Sequence, residues 1–111
     1  MADCIFCKIA AHEIPAQIVH EDDDVVVFRD LRPVAPFHVL VIPKRHVDSL
    51  AQSDPALAGR VAAAAAKAAA EAGYSESGYR VVTNVGPDAG QSVAHLHFHV
   101  LAGRSLAWPP G

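Results

Sequence analysis

Residues 95–101 alternate between histidine and bulky apolar side chains, in the order His95-Leu96-His97-Phe98-His99-Val100-Leu101. A period of two is typical of a β-strand, so we predict a strand over this run. Its histidines would share one face, and the apolar residues between them would point into a core. The pattern therefore predicts three imidazoles in a row on one wall of the fold.

Other apolar runs predict the remaining strands of a sheet. Residues 38–42 are almost continuously apolar, which is typical of a central strand covered on both faces. Residues 17–20 and 25–29 flank an acidic turn and predict a hairpin, and residues 78–84 predict a further strand. We therefore expect an antiparallel sheet of about five strands.

Two helices complete the predicted fold. Residues 4–11 carry a short apolar stripe, and residues 54–72 predict one long helix. Ser53 is a suitable N-cap, Pro55 suits the first turn, and Gly73 can end the helix. Its many alanines would let it lie close to a sheet. The expected class is α+β, with one long and one short helix.

Composition limits the classes of function. With 111 residues, 51% of them hydrophobic, we expect residues 1–111 to form a single domain. A net charge of −3 provides no basic field for a polyanion, so no nucleic-acid partner is expected. The sequence contains neither a leader pattern nor an apolar run near the roughly 18 residues of a membrane span. We accordingly expect no membrane partner and a cytoplasmic location.

Three histidines in register point to chemistry, because histidine changes charge near neutral pH and recurs at sites of proton transfer, nucleophilic attack and metal binding. Along a strand, His95 and His99 would have Cα atoms about 13 Å apart, too far for all three side chains to share one metal ion. A pair such as His95 and His97 could share a metal, or the three could have separate roles. The alternative, three polar residues on a wet face, is the weaker interpretation.

Two further features suggest ligands. The loop over residues 84–93 contains two glycines, Gln91 and Ser92, which can cradle a phosphate through backbone and side-chain donors, although an ordinary turn has the same composition. Cys4 and Cys7 form a Cys-x-x-Cys pair, which in a reducing compartment indicates half of a metal site or a redox pair.

Ordered motifs across the chain resemble one known family. The run from Gly90-Gln91-Ser92 to Leu101 looks like the histidine-triad (HIT) signature, His-x-His-x-His-x-x with apolar x, and is similar to its Hint branch. Residues 5–9, residues 36–46 and the ending Trp108-Pro109-Pro110-Gly111 extend this resemblance. The resemblance implies a HIT-like fold and a homodimer, in which the tail over residues 103–111 contacts the partner.

The same resemblance implies roles for particular residues. Catalysis would involve His97, His99, Ser92 and His38, and the nucleotide would be bound by Asp30, Leu31, Asn84, Gly90, Gln91, Ser92, His97 and His99. Because it assigns catalysis to other histidines, His46 and His95 become the candidates to join Cys4 and Cys7 on a structural Zn²⁺. Some family members carry this zinc and others lack the cysteines, so free thiols remain the alternative. Phe37 stands where relatives often have a small residue, and Ala35-Pro36-Phe37 would narrow the pocket mouth.

The implied activity is hydrolysis of purine nucleoside phosphoramidates with an AMP- or GMP-like nucleotide. His97 would attack the α-phosphorus and form a nucleotidyl-histidine that water hydrolyses, while its other nitrogen holds a proton on a backbone carbonyl near His95. No catalytic metal would be required.

Three alternatives stay open at this point. The chain could be a zinc-binding module that acts through partners, or a sensor that binds AMP-like ligands without useful catalysis. It could also be a dinucleoside polyphosphate hydrolase of the same superfamily, although the Gly-Gln-Ser run and the Trp-Pro-Pro-Gly ending favour the Hint branch.

Overall fold

The computed structural model describes residues 3–111. It contains two helices, five strands and a short 3-10 turn at Leu50–Gln52 that the sequence did not predict. In chain order the elements are α1 (Ile5–Ala10), β1 (Ile18–Glu21), β2 (Val25–Arg29), β3 (Phe37–Pro43), α2 (Pro55–Glu71), β4 (Tyr79–Val82) and β5 (Phe98–Ala102). The predicted α+β class, with one long and one short helix, is confirmed.

The five strands form one antiparallel sheet in the order β1-β2-β3-β5-β4. β3 lies in the middle, and every one of its residues is buried. This confirms that the apolar run at residues 38–42 is a central strand covered on both faces. Its neighbours β2 and β5 determine which side chains face each other across the site.

The long helix α2 covers one face of the sheet. Val61, Ala65 and Ala69 are fully buried and pack in one cluster with Val39, Val100 and other apolar residues of the strands. Small alanine side chains bring the helix close to the sheet, as predicted. The N-cap is Asp54, whose carboxylate accepts from the Leu57 amide at 2.8 Å.

The predicted N-cap at Ser53 is therefore wrong by one residue. The Ser53 hydroxyl instead donates to the Leu50 carbonyl at 2.7 Å and closes the preceding 3-10 turn. Gly73 lies just beyond the helix with a φ of +92°, the left-handed conformation that ends it as predicted.

The short helix α1 covers part of the opposite face. Phe6 and Ile9 are buried against a second cluster that includes Phe28, Leu40 and Ile42. Because helices lie on both faces, the sheet has two separate apolar clusters. The histidine segment has its apolar residues in the first cluster, and its imidazoles face the side of α1.

The predicted strand over residues 95–101 is only half correct, because β5 begins at Phe98. The preceding backbone groups find partners in loops: the His95 amide donates to the Val93 carbonyl and the Leu96 amide to the Val47 carbonyl. The His97 carbonyl accepts from the Thr83 hydroxyl at 2.9 Å. The side chains still alternate, with Leu96, Phe98 and Val100 in the α2 cluster.

The tail that follows β5 has no regular secondary structure, but hydrogen bonds attach it to the body. Arg80 of β4 donates to the Ala107 carbonyl at 2.9 Å, and Arg104 donates to the Val34 carbonyl. The Trp108 side chain is 82% exposed. Within the described part of the chain, no helix combines the length and the apolar character needed to cross a membrane.

Candidate active site and metal centre

A cleft of about 260 Å³ lies between α1 and the sheet. Phe6 and Ile9 of α1 form one wall, and Phe28 and Leu40 of the sheet form another. The polar lining residues from the predicted site are Asp30, Ser92, His97 and His99, and Leu31 lies at the same cleft. The structure thus brings together five of the residues named from the sequence.

Strand pairing explains why histidines from distant parts of the chain meet here. His99 of β5 lies opposite Leu40 of β3, and His38 lies two residues away on β3, diagonal to His99 on the same face. Phe28 is paired with Leu40 from the other side. A row of side chains across three strands therefore forms the floor of the cleft.

His97 has one ring nitrogen held and one free. Its Nδ1 lies 2.7 Å from the His95 carbonyl, which can only accept, so Nδ1 carries the proton and donates it. Nε2 has no hydrogen-bond partner among the described residues. Every buried side-chain nitrogen in that part of the chain does have a partner, so Nε2 is not buried and is accessible from the cleft. The backbone-carbonyl acceptor near His95 that the sequence suggested is present.

Phe6 packs edge-on against the His97 ring, with ring centroids 5.1 Å apart. This contact and the hydrogen bond to the His95 carbonyl leave the buried ring little freedom to rotate. Sequence analysis identified Phe6 only as part of an apolar stripe. The sequence did contain a signal for its role. Phe6 lies between two candidate metal ligands, Cys4 and Cys7, so a site that holds both cysteines would also hold Phe6 in place.

A chain of hydrogen bonds determines the proton positions on His38 and His99. The Val34 amide donates to His38 Nδ1 at 3.1 Å, so the His38 proton is on Nε2. That Nε2–H lies 2.9 Å from His99 Nδ1 and 3.4 Å from Asp30 Oδ2, and donates to the nearer atom. His99 Nδ1 is therefore an acceptor, and the proton of His99 is on Nε2, the nitrogen left for a ligand.

The electrostatic environment keeps both of these rings neutral. Burial, together with the neighbouring His97 and His38, lowers the pKa of His99 to about 4 against a weaker opposing effect of Asp30. Burial also lowers the pKa of His38, again opposed by Asp30. Asp30, His38 and His99 lie close enough to hold a metal ion, but the hydrogen bonds just described already use the facing nitrogens of both rings.

Three predicted nucleotide-binding residues do not line this cleft: Asn84, Gly90 and Gln91. The Gly90 amide donates to the Pro87 carbonyl, and the Gln91 amide donates to the Gly86 carbonyl, so both are used within the loop. The Gln91 side chain accepts from the Gly86 amide and donates to the Asp48 and Val93 carbonyls. Gln91 thus holds the loop together, while exposed Ser92 reaches the cleft.

Phe37 does not narrow the cleft, and that expectation is wrong. Its ring is buried in the α2 cluster and packs against Tyr74, with ring centroids 5.3 Å apart. As the neighbour of His38 on a strand, it necessarily points to the opposite face.

Cys4, Cys7, His46 and His95 form a second cluster, and one ligand atom from each lies within 4.8 Å of all the others. His95 Nδ1 is 3.3 Å from Cys4 Sγ, 3.6 Å from Cys7 Sγ and 3.1 Å from His46 Nδ1. Metal–ligand bonds of about 2.0–2.3 Å in a tetrahedron place ligand atoms about 3.3–3.8 Å apart. The two nitrogen–sulfur distances fall in this range and the nitrogen–nitrogen distance is slightly shorter, so the atoms lie close to the spacing of a tetrahedral site.

The tautomers in this cluster also suit a metal ion. His95 Nε2 donates to the Pro43 carbonyl at 2.9 Å, and His46 Nε2 donates to Asp48 at 3.0 Å. Both Nδ1 atoms are consequently unprotonated and face each other, an arrangement that a cation stabilises. Burial, followed by the hydrogen bond and charge of Cys4, raises the pKa of the Cys7 thiol, so metal binding there releases a proton.

A larger depression of about 610 Å³ adjoins this cluster and is lined by Cys4, His46, Asp48 and Ser92, among others. It contains neither His97 nor His99. Because Ile5 and Ser92 line both this depression and the smaller cleft, the two spaces are neighbours. His97 and His99 line the smaller one.

Comparison with protein-family models matches residues 11–106 to the HIT domain. An uncharacterised HIT-like protein of Synechococcus elongatus is 52% identical over 112 aligned positions, which cover 98% of this chain and 97% of that protein. Protein HitA of Neisseria gonorrhoeae is 46% identical over 91% of this chain and 96% of its own length.

Solved structures give the same result. A HIT family hydrolase of Legionella pneumophila Philadelphia 1 superposes with a TM-score of 0.95 at 46% identity, over 98% of this chain and 100% of that one. A histidine triad protein of Clostridium difficile superposes with a TM-score of 0.92 at 48% identity, over 96% of each chain. The likeness therefore extends over nearly the whole of each chain compared.

Proposed function

The chain belongs to the HIT domain family, and on that premise we propose that it hydrolyses purine nucleoside phosphoramidates through a covalent nucleotidyl-histidine on His97. The observation that carries this proposal is the His97 ring itself. Its Nδ1–H is held by the His95 carbonyl, and its Nε2 lone pair faces the cleft without a partner. A relative with 46% identity is a HIT family hydrolase, which supports hydrolysis as the class of reaction.

In the first step, His97 Nε2 attacks the α-phosphorus and forms a nitrogen–phosphorus bond while the phosphorus–amine bond breaks. Attack at Nε2 leaves the ring with a positive charge, because Nδ1 keeps its proton. The His95 carbonyl, 2.7 Å from Nδ1, stabilises that charge. Splitting one difficult displacement into two easier steps is the general advantage of covalent catalysis.

Two polar residues assist this step. His99 donates its Nε2–H to a phosphate oxygen as negative charge develops there, and His38 keeps the proton on that nitrogen by donating to His99 Nδ1. Ser92 relays a proton from solvent to the departing amine, since its side chain is exposed and lines the cleft. The amine leaves protonated, and the nucleotide remains on His97.

In the second step, water attacks the phosphorus and the Nε2–phosphorus bond breaks. The water loses one proton to solvent, and a nucleoside monophosphate is released. His97 returns to its starting form, so each turnover consumes one phosphoramidate and one water. This chain's residues provide the nucleophile and the donors, and no step passes through a metal ion.

The nucleoside would occupy the apolar part of the cleft. Phe6, Ile9 and Phe28 offer flat and aliphatic surface for a purine, and Leu31, with its side chain 94% exposed, can close over the base. The Asp30 carboxylate can accept from both ribose hydroxyls. Asn84, Gly90 and Gln91 remain predicted contacts that would require the loop to shift on binding.

We also propose that the cluster of two cysteines and two histidines binds Zn²⁺ as a structural ion. Its donor set, spacing and tautomers fit tetrahedral zinc, and all four positions are taken by protein atoms. A closed site of this kind contributes folding energy and leaves no position for substrate. A zinc ion bound there would therefore attach α1 to the sheet beside the cleft.

The proposed assembly is a homodimer in which the tail over residues 103–111 contacts the partner. An exposed indole followed by two prolines is a stiff apolar segment suited to docking. β4 is an edge strand whose Tyr79 and Val81 side chains are exposed, so this edge is available for a second chain.

The decisive experiment is incubation with adenosine 5′-phosphoramidate, followed by rapid denaturation and mass analysis of peptides. We expect AMP as product and an adenylyl adduct on His97. His97→Ala should still bind AMP but form no adduct and no product. Adduct on another residue would contradict the proposed mechanism.

The alternatives give different results in the same assay. A wild-type protein that binds AMP and turns over no phosphoramidate would be a sensor. Faster cleavage of diadenosine polyphosphates would place the chain among the dinucleoside polyphosphate hydrolases. Bound zinc with neither AMP binding nor turnover would indicate a metal-binding module.

A further inference from the structure

The residues just after β5 fold back onto the loop that precedes β3. Arg104 Nε and Nη2 both donate to the Val34 carbonyl, at 3.1 and 2.9 Å, and Nη1 donates to the Ser105 carbonyl at 3.0 Å. Arg104 makes no ion pair within residues 3–111. Its guanidinium is therefore used to hold the backbone of a loop.

The loop around Val34 is held by hydrogen bonds and close backbone approach rather than by the Val34 side chain. The Val34 side chain is 59% exposed, so packing does not anchor it. Close contact with the neighbouring turn does constrain the loop, because a Cβ built on Gly103 would lie 2.8 Å from Pro36 Cβ. Gly103 and Arg104 thus hold two residues of the loop, Pro36 and Val34, and we call these two contacts the clasp.

The same loop controls the ring of His38. The Val34 carbonyl accepts the hydrogen bonds from Arg104. The amide of the same residue donates to His38 Nδ1 at 3.1 Å. That amide makes Nδ1 an acceptor and puts the proton on Nε2, from which it is donated to His99 Nδ1 at 2.9 Å. A displaced Val34 would free Nδ1 and allow His38 to take the other tautomer.

We infer that Arg104 is a positioning residue for the active site, acting through Val34 and His38 to keep a proton on His99 Nε2. It does not line the cleft, and its hydrogen bonds within residues 3–111 go to backbone carbonyls rather than to a histidine, so its action is indirect. The catalytic consequence rests on the proposed function, in which His99 donates to a phosphate oxygen. The effect on the His38 tautomer does not depend on it.

Arginine suits this task because its planar fork presents two donors to one acceptor with little rotational freedom. A lysine at the same position offers one point of contact on a flexible stem. The chain also provides a matched comparison: Arg80 donates to the tail carbonyls of Leu106 and Ala107, but not to Val34. Loss of Arg80 loosens the tail and leaves the clasp intact.

The test is the tautomeric state of His38 and His99, read from ring ¹⁵N chemical shifts of the wild type, Arg104→Ala, Arg104→Lys and Arg80→Ala. We expect one tautomer of His38, protonated on Nε2, in the wild type and in Arg80→Ala. In Arg104→Ala both tautomers should appear, and Arg104→Lys should lie between. Gly103→Ala keeps the guanidinium, but its Cβ would lie 2.8 Å from Pro36 Cβ and its φ of +97° disfavours a side chain, so it should resemble Arg104→Ala.

Kinetics provide the second readout. With a phosphoramidate substrate, Arg104→Ala should lower kcat by about tenfold, roughly the effect of one misplaced hydrogen bond, and leave KM nearly unchanged. Arg104→Lys should recover part of the loss. An unchanged His38 tautomer in both Arg104→Ala and Gly103→Ala would overturn the inference. A shifted tautomer in a protein that turns over no phosphoramidate would refute the proposed function and leave the clasp standing.

Discussion

At the scale of single residues, the histidines of the two centres differ in which ring nitrogen is committed. His97 donates from Nδ1 to the His95 carbonyl, which leaves Nε2 toward the cleft, whereas His95 donates from Nε2 to the Pro43 carbonyl, which leaves Nδ1 toward Cys4, Cys7 and His46. Two histidines separated by a single residue thus present different nitrogens to different sites. In each ring, the backbone carbonyl that accepts the proton determines which nitrogen stays unprotonated.

The low pKa of His99 makes stability depend on pH. Its pKa is about 4 in the folded protein and near 6.5 in an unfolded chain, so the unfolded chain binds more protons between these values. The free energy of unfolding should therefore decrease as the pH falls from about 6.5 to about 4. Thermal melts across this range will measure the slope.

One variant tests the contribution of His99. His99→Gln should make the slope smaller, because it removes the titrating ring. Part of the slope should remain, because burial also lowers the pKa values of His38 and His95. Equal slopes in the wild type and His99→Gln would show that this ring does not titrate as described.

The sequence predicted which histidines share one face and where the His97 proton is held, but not the proton positions of His38, His95 and His99. Alternation over residues 95–101 correctly separated the imidazoles from Leu96, Phe98 and Val100. The Val34 amide, which decides the His38 tautomer, belongs to the loop before β3, and the Pro43 carbonyl, which decides that of His95, ends β3, 52 residues away in the chain. No local pattern predicts where such backbone groups come to lie.

At the scale of elements, the short helix α1 belongs to both centres. It carries Cys4 at its N-cap and Cys7 in its first turns, and it also supplies Phe6 and Ile9 to the wall of the cleft. A helix of six residues is too short to be stable alone, so it depends on these attachments. The state of the metal cluster should consequently affect the cleft.

Metal removal tests this dependence. Chelation should lower the melting temperature and weaken AMP binding, by about tenfold if the coupling is typical, because the wall formed by Phe6 loosens. Calorimetric titration with AMP before and after chelation will measure the change. Cys4→Ser/Cys7→Ser should resemble the chelated protein and respond no further to chelator. Unchanged AMP affinity after complete metal loss would show that α1 holds its place without the ion.

The long helix α2 permits a test on the opposite face. Ala65→Leu should destabilise the protein by about 1–3 kcal/mol, since Ala65 is fully buried against the sheet and a larger side chain overpacks the contact. Ala66→Leu, one residue further on the exposed side, should change stability little. Denaturant unfolding of both variants gives the comparison. Similar stabilities would mean that α2 can shift to accept the added volume.

Element boundaries were predictable to within a few residues, except where side chains or loops compete with regular structure. Asp54 rather than Ser53 caps α2, because the Ser53 hydroxyl is bonded within the preceding turn. β5 starts three residues later than the histidine pattern, because the amides of His95 and Leu96 are bonded to loop carbonyls. In both cases a local preference was replaced by a contact that only the folded chain provides.

At the scale of the whole molecule, the sheet separates stability from chemistry. The α2 face contains the larger apolar cluster, whereas the α1 face holds the cleft and the cluster of two cysteines and two histidines. The free edge of β4 and the exposed tail lie outside both. These last features underlie the proposed dimer.

The dimer is tested by sedimentation, which should give twice the chain mass of 11.7 kDa. Trp108→Ala should reduce phosphoramidate turnover if the tail reaches the partner, and should not alter the ¹⁵N shifts of His97. A monomer at micromolar concentration with full activity would contradict the proposed assembly.

The two-residue alternation through residues 95–100 has a consequence for changes in chain length. Inserting or deleting one residue would exchange the two faces, so that imidazoles would enter the apolar interior and Leu96, Phe98 and Val100 would meet the nucleotide. Many substitutions along this segment would be milder than a single-codon indel. We therefore expect a library with insertions and deletions to lose folding and turnover together here, while tolerating length changes at the acidic β1–β2 hairpin turn.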